Sequence, residues 1–438
     1  MHHPFKLCVL TAALMVSLAA CGDDDKPAQS QAAASSSSSL SSVAVSSSSS
    51  ASSISMSSSS SAPADASYQT SGIIAATSAA PNNLPVFYQR LKDRLTFPMA
   101  WKSGTTDMAA WRAAGKAKVK ELILDDNDKT AFNPVVIDEQ DNGTYWSRKV
   151  VFNLTADSRV MGLMLVPKGS GPFPAAVLLH DHGGKFDIGK EKLIKPWGDA
   201  TRLSSATAWS NKYFSDRFVG DELAKRGYVV LAVDALGWGD RGGYTAVGTQ
   251  TQGEQQQALA ANLYNLGDSL GGLMAREDVR AADFLASQPQ VDVNRIAAVG
   301  FSMGAFRAWQ LAALSDKIAA GVAVCWMATT DGLMVPGNNQ LKGQSAFNMM
   351  HPGLLRYLDF PDVASLAAPK PMLFFNGGTD TLFPTASVDA AYAKMQQVWT
   401  AWGAGDKLKT QTWSTLGHVF VQEEQEAAFT WLDTALKR

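Results

Sequence analysis

The chain has 438 residues, room for two ordinary domains or for one large α/β domain with appendages. A formal net charge of −2 with 18% charged residues gives no basis for a nucleic-acid partner. Hydrophobic residues make up 46%, ample for a sizeable core, and only three cysteines are present, so the folded part must be held by that core rather than by disulfides.

In chain order, His2, His3 and Lys6 precede the apolar run Leu7–Ala20, too short for a membrane span and suited to a signal peptide. The run ends in Leu18-Ala19-Ala20-Cys21, which resembles the bacterial lipoprotein signal, in which the cysteine is lipidated and becomes the new N-terminus. Residues 1–21 are therefore expected to be a lipoprotein signal, and the lipid on Cys21 to be the only membrane attachment of a protein of the bacterial cell envelope. By the same resemblance Gly22 after the cysteine points to the outer membrane; an ordinary cleaved signal is the alternative. Residues 22–83 read as a linker, because the serine tract from Ser35 to Ser61 holds too little apolar surface to offset its chain entropy. Polyserine linkers of this kind resemble those on secreted polysaccharide-degrading enzymes of Gram-negative bacteria. Cys8 falls in the signal, which leaves Cys325 alone in the folded part.

Residues 84–148 read as a helical extension, with helices expected over Leu84–Leu95 and Asp107–Leu124. From about Lys149 to the C-terminus strand and helix signals alternate, which predicts an α/β domain with a mostly parallel sheet covered on both faces. Expected strands are Lys149–Leu154, Val160–Val166, Pro174–His180, Tyr228–Asp234, Ile296–Phe301, Ile318–Trp326, Pro371–Asn376 and Leu408–Ser414. Expected helices are Asp216–Arg226, Arg276–Ser287, Ala305–Leu314, Thr385–Trp402 and Val419–Lys437. Three long connections, Gly183–Ser215, Ala235–Ala275 and Met327–Phe360, follow predicted strands at the edge where α/β proteins bind ligands, and are expected to wall the site. Trp197, Trp209, Trp238 and Trp326 lie in or beside them, with Trp238 and Trp326 as pocket candidates.

The apolar stretch Arg295–Phe301 runs into Gly300-Phe301-Ser302-Met303-Gly304 and then into a helical sequence. Gly-x-Ser-x-Gly between strand and helix is the context of a nucleophile elbow, where glycines permit a tight turn that exposes the serine oxygen. A serine nucleophile needs a base and the base an orienting acid. His418 stands after the last predicted strand, and Asp380 after the seventh, in Gly377-Gly378-Thr379-Asp380. The chain order Ser302, Asp380, His418 matches such a fold. Asp331, after the sixth strand, is the main rival for the acid, with Asp359 and Asp362 behind it; His351 reads as a loop residue. The oxyanion hole is expected from the N–H of Met303 and a second N–H in His180-Asp181-His182-Gly183-Gly184, here assigned to Gly183. His182 is a further pocket candidate. His180-x-His182 also invites a metal reading, but no further ligand cluster follows and no metal is expected.

Together, His180-Asp181-His182-Gly183-Gly184-Lys185 with Ile188-Gly189-Lys190-Glu191-Lys192, Asp234 with Gly237-Trp238-Gly239-Asp240-Arg241, Gly-Phe-Ser302-Met-Gly, Gly-Gly-Thr-Asp380 and Gly-His418 resemble the dienelactone-hydrolase-related branch of α/β-hydrolases that includes acetyl xylan esterase-like proteins. The resemblance spans Leu84 to the C-terminus. It implies an eight-stranded α/β-hydrolase fold and a cofactor-free serine carboxylic-ester hydrolase acting on acyl esters of polysaccharides or oligosaccharides, acetyl first. Dienelactone hydrolases proper use cysteine as nucleophile and this chain has serine, so lactone chemistry is not expected. A general or aryl esterase is the alternative. A peptidase of the prolyl-oligopeptidase type would carry a glycine where Ala305 stands, a glucuronoyl esterase an arginine where Met303 stands, and a glycan-binding surface lipoprotein would not need the whole constellation.

Overall fold

Nine strands form one twisted sheet: β1 (Val135–Asp141), β2 (Tyr145–Thr155), β3 (Ser158–Pro167), β4 (Phe173–Leu179), β5 (Val229–Val233), β6 (Val291–Phe301), β7 (Ile318–Val324), β8 (Met372–Gly377) and β9 (Leu408–Trp413). The computed structural model describes residues 79–80, 84–85, 88–123, 128–242, 251–335, 338–339, 341 and 343–437. The expected signal peptide and serine tract lie outside the described residues. The strand order is β9-β8-β7-β6-β4-β5-β3-β2-β1. β1, β2 and β3 form an antiparallel meander and β3 meets β5 antiparallel; β5, β4, β6, β7, β8 and β9 run parallel.

The helices that cover the sheet are α1 (Met108–Ile123), α2 (Ala200–Tyr213), α3 (Val219–Lys225), α4 (Gln252–Asn265), α5 (Leu270–Ala286), α6 (Met303–Leu314), α7 (Phe360–Ser365), α8 (Thr385–Ala401) and α9 (Gln422–Leu436). Successive side chains of a strand point to opposite faces, and here both faces are apolar. Ala175, Val177 and Leu179 of β4 with Ile296 and Ala298 of β6 enter one core, shared with α1, α5, α6 and α8. Ala176 and Leu178 with Ala297, Val299 and Phe301 enter the other, shared with α2, α3 and α9. That is why these strands read in the sequence as unbroken apolar runs rather than as alternation.

The eight expected strands are all present, but the sheet starts earlier than the Lys149 boundary and has a ninth strand. β1 was hidden because it is an edge strand with Val135, Val136 and Ile137 exposed and Asp138-Glu139-Gln140-Asp141 after them, so no half-buried alternation marks it. Ser302 consequently follows the sixth strand, not the fifth. The expected helix Leu84–Leu95 shrinks to Tyr88–Lys92, because Leu84–Pro85 is a short strand paired with Ala79–Ala80, whereas the one from Asp107 is borne out as α1, whose Met108, Val119 and Ile123 are buried in the first core. Helices inside the long connections were not expected: α2, α4 and two short ones, Thr330–Leu333 and Gly343–Phe347. α2 is capped by the Asp199 carboxylate accepting the Arg202 N–H at 3.0 Å, and α4 by a Thr251–Glu254 capping box, a signal legible in Thr-x-x-Glu but masked by its glutamine-rich start.

The switch point lies at β4, whose following strand pairs on one side and β6 on the other, so the loops after β4 and β6 diverge and open a crevice at the strands' carboxyl ends. α9 closes the domain beside that crevice. At its first turn Glu424 is buried and accepts the Val421 N–H at 3.1 Å through one oxygen, while the other has no partner among the described residues. Burial pushes its carboxyl up to about 8. The ordinary value is 4.5, so its neutral form favours the fold fully below pH 4.5, and that contribution is lost as pH rises to about 8. Glu424→Gln is expected to raise the melting temperature by a few degrees at pH 8–9 and to change it little near pH 4, as thermal melts across that range would check.

Candidate active site

β6 ends at Phe301 and α6 begins at Met303, so Ser302 alone makes the turn, with φ 56° and ψ −126°. The strain persists because the surroundings over-determine it. The Ser302 N–H donates to the Val324 carbonyl at 2.8 Å, and the two flanking glycines have no room for a side chain. A Cβ on Gly300 would lie 2.0 Å from the Gly304 carbonyl oxygen, and one on Gly304 would lie 1.9 Å from the Leu179 oxygen. The turn therefore holds the serine oxygen at the crevice with the N-terminus of α6 beside it.

Asp380, in the loop after β8, and His418, in the loop after β9, meet at this serine. The His418 Nε2 lies 2.8 Å from Ser302 Oγ, and its Nδ1 lies 2.7 Å from Asp380 Oδ2. Asp380 is buried, and its other oxygen accepts the Leu382 N–H at 2.9 Å, which fixes the carboxylate against the ring. The two loops are laced together: the Gly378 N–H donates to Trp413 O at 2.8 Å and the Thr379 N–H to Leu416 O at 2.9 Å. Behind His418, the buried Cys325 thiol lies 3.4 Å from the Val419 carbonyl oxygen, and burial pushes its pKa well up, so it stays protonated. The other described histidines of the folded part are held neutral by burial: His180 well below its ordinary value, His182 pushed down to about 4 and His351 to about 3. His418 keeps 21% side-chain exposure and is the one in contact with the serine.

The rival acids are elsewhere. Asp331 is 76% exposed and pairs with Lys92 at 2.8 Å, and Asp359 caps the start of α7 and accepts the Thr330 hydroxyl at 2.6 Å. Asp362 pairs with Lys394 at 2.8 Å. His351 bonds Gln310 at 3.1 Å and stacks on Phe306, inside the protein.

A pocket with about 40 Å³ of free space opens at Ser302, lined by His182, Met303, Trp326, Leu333, Leu341, Ser345, Met349, Leu382 and Phe383. His182 and Trp326 thus stand where the sequence reading put them. Trp238 does not: it is fully buried against His180, His182 and Phe186, and its indole N–H donates to the His182 carbonyl at 3.2 Å. It shapes the loop rather than touching the pocket. Gly183 is exposed and outside the lining; a Cβ there would strike the Trp209 ring at 2.2 Å. His182 is the loop residue that reaches the pocket. Its Nδ1 accepts the Gly184 N–H at 3.2 Å, so its Nε2 carries the proton and donates to Gln256 of α4, also at 3.2 Å. Both ring nitrogens are occupied, which leaves His182 no proton-transfer role. Gln256, Leu382, Phe383 and Met349 come from elements far apart in sequence, and no local motif announces them.

The remaining motif residues build the floor of this loop. Lys190 is buried with its ammonium 2.6 Å from Asp234, 2.7 Å from Asp240 and 3.0 Å from Glu191. The three carboxylates are close enough to suggest a cation site, and the ammonium supplies the cation. Burial lowers the Lys190 pKa, but Asp234, Glu191 and Asp240 outweigh it and raise the value overall.

Sheet order, elbow and the joined serine, histidine and carboxylate define an α/β-hydrolase. A sequence profile of the Abhydrolase family matches residues 86–398, and the chain belongs to that family. The match includes Ser302 and Asp380 and stops short of His418. YtaP of Bacillus subtilis, a protein named as a hydrolase, is 29% identical over 258 residues, covering 59% of this chain and 77% of its own. Among solved structures, a Bacteroides fragilis protein named as an acetyl xylan esterase aligns with a TM-score of 0.57 at 18% identity, over 74% of this chain and 82% of its own. A glucuronoyl esterase from Solibacter usitatus aligns with a TM-score of 0.52 at 16% identity, over 82% and 97%. At such identities these structures speak to the fold.

Asp380→Asn is expected to slow the reaction of Ser302 with a fluorophosphonate about 10,000-fold, the loss seen when a triad histidine takes the wrong tautomer. Asp331→Asn should stay within about twofold; intact-mass kinetics on both variants separate the two acids.

Proposed function

We propose that the protein is a serine carboxylic-ester hydrolase that removes acetyl groups from polysaccharide or oligosaccharide substrates. The observation that carries this reading is the hydrogen-bonded line from Asp380 through His418 to Ser302, at 2.7 and 2.8 Å, opening on a small apolar pocket. His418 Nε2 takes the Ser302 proton as Oγ attacks the ester carbonyl, and Asp380 stabilises the resulting imidazolium. The N–H of Met303 and those of the His182–Gly183 stretch hold the tetrahedral oxyanion. His418 then gives its proton to the leaving alcohol, and takes one from the water that releases the acid. Each step needs only these groups and water.

The pocket supports the small acyl group. At about 40 Å³ the free space beside Ser302 is small, which favours a short acyl group. Met349, Leu382 and Phe383 supply apolar walls, with no lysine or arginine among the described lining residues. That lining, with Met303 after the nucleophile, disfavours a uronate carboxylate as the recognised group. The names of the structural neighbours, acetyl xylan and glucuronoyl esterases, support a carbohydrate ester. We further propose that lipidated Cys21 and the serine tract tether the enzyme in the cell envelope; the support is the Leu18-Ala19-Ala20-Cys21 signal, and among the described residues no helix is long and apolar enough to cross a membrane. Loss of the membrane-fraction signal in Cys21→Ser would test the tether.

A fluorophosphonate is expected to add one adduct mass to the protein and none to Ser302→Ala, and the unmutated protein should release acetate from acetylated xylan. With p-nitrophenyl esters, kcat/KM should fall at least about tenfold from acetate to butyrate, as one or two misfitting methylenes cost in a closed pocket. Labelling without acetate release would retain the hydrolase and overturn the carbohydrate acetate; absence of labelling would sink both.

A further inference from the structure

Lys192 is the least expected group near the site. It belongs to a short turn, Lys190–Lys192, that follows the loop after β4, and its side chain is wholly buried. Its Nζ donates to the Asp181 carbonyl at 3.1 Å, the His182 carbonyl at 3.0 Å and the Asp181 carboxylate at 3.3 Å, and lies 4.8 Å over the Trp209 ring. Among the described residues three acceptors and no donor face it, the complement of an ammonium with three N–H groups and not of a neutral amine. Burial lowers its pKa overall, and the Asp181 carboxylate offsets part of that fall. Burying such a charge is costly, and neutral donors would suffice merely to hold a loop.

The two carbonyls it binds are those of the peptides that carry the His182 and Gly183 N–H groups. Each takes a second donor as well. The Asp181 oxygen accepts the His180 Nδ1–H at 2.9 Å, since His180 Nε2 is already used by the Ala235 N–H at 3.0 Å; the His182 oxygen accepts the Trp238 indole at 3.2 Å. In a trans peptide the C=O and N–H point in opposite directions. Anchoring both oxygens on the Lys192 side therefore turns both N–H groups away from it, and the His182 side chain between them lies in the Ser302 pocket. Neither N–H, nor that of Met303, is taken by a protein acceptor among the described residues. A charge on the oxygen also polarises the amide, and hydrogen-bonded chains in a low-dielectric interior strengthen one another.

We propose that Lys192 is the positioning residue of the oxyanion-binding loop: its buried ammonium orients the peptides after Asp181 and after His182 toward Ser302 and makes their N–H groups stronger donors to the oxyanion. The proposal rests on the ester-hydrolase reading above. It accounts for the Gly-Lys-Glu-Lys motif, in which Lys190 fastens the turn to Asp234 and Asp240 while Lys192 reaches the loop carbonyls.

The test compares Lys192→Met, Lys192→Gln and Lys192→Arg with the unmutated protein in p-nitrophenyl acetate kinetics, inhibition by a trifluoromethyl ketone, and thermal melts. Deleting an entire oxyanion donor lowers kcat about 100- to 1,000-fold. Weakening two donors without deleting them should lower kcat about 10- to 100-fold in Lys192→Met, with KM within about threefold. The ketone, whose adduct carries the same oxyanion, should lose affinity in step with kcat/KM. Lys192→Gln, which still offers N–H groups to the carbonyls without a charge, should behave like Met, and Lys192→Arg should recover part of kcat. Wild-type kcat in folded Lys192→Gln, or a raised KM at unchanged kcat in either neutral variant, would overturn the proposal; if Lys192→Met does not fold, Lys192→Gln carries the comparison. An unmutated protein without esterase activity would fail the functional reading itself, a different result from equal activity in mutant and unmutated enzyme.

Discussion

Everything at the site depends on one close contact, the start of α6 against the end of β4. Gly304 lies so near the Leu179 carbonyl, and Gly300 so near Gly304, that a single methyl at either position would drive strand and helix apart. Because the approach is that tight, Ser302 can be held at positive φ on a turn with no slack, and the loop after β4 is brought alongside the first turn of α6. The oxyanion donors, the nucleophile and the pocket are neighbours for that reason. Backbone strain at the serine is stable only because two strands and a helix fix its ends.

Around this apolar junction the protein places an unusual amount of buried charge. Lys190 with Asp234, Lys192 with Asp181, and Arg307 with Asp278 at 2.6 and 2.9 Å are all inside. Such pairs add little net stability over well-packed apolar groups, but their geometry is demanding and removing one partner is severe. Here they tie together connecting segments with little regular structure beyond short 3-10 turns: the loop after β4, the turn at Lys190 and the loop after β5. Arg307, on the nucleophile helix, and Asp278, on α5, join the two helices that flank the elbow. The site is thus rigid where precision matters, while apolar residues from the connection after β7 close the pocket. Directional polar contacts set the donors, and non-directional packing sets the size of the acyl group.

Much of the fold was legible because the central strands are buried on both faces and so stand out as apolar runs, and because the elbow and the helix after it are contiguous in sequence. β1 was not legible, since an exposed edge strand shows no half-buried alternation, and α4 was obscured by glutamines although Thr251 and Glu254 announce its start. Of the site residues, Ser302, Asp380 and His418 were readable from their places after strands. Trp238 was misread as pocket lining because a tryptophan in a loop looks the same whether it faces a ligand or, as here, packs at an angle against two histidines and holds a carbonyl.

The sequence by itself determined the α/β class, the nucleophile turn and the order of serine, acid and base, because each depends on local periodicity or on adjacency along the chain. Only the tertiary structure decided that Asp380 rather than Asp331 meets His418, that Met349, Leu382 and Phe383 enclose the serine, and that the lysine ten residues beyond His182 turns back onto its carbonyl. Those outcomes are set by where strands of distant segments end on a shared sheet edge and by how buried charges find partners, and neither is written in any local stretch of residues.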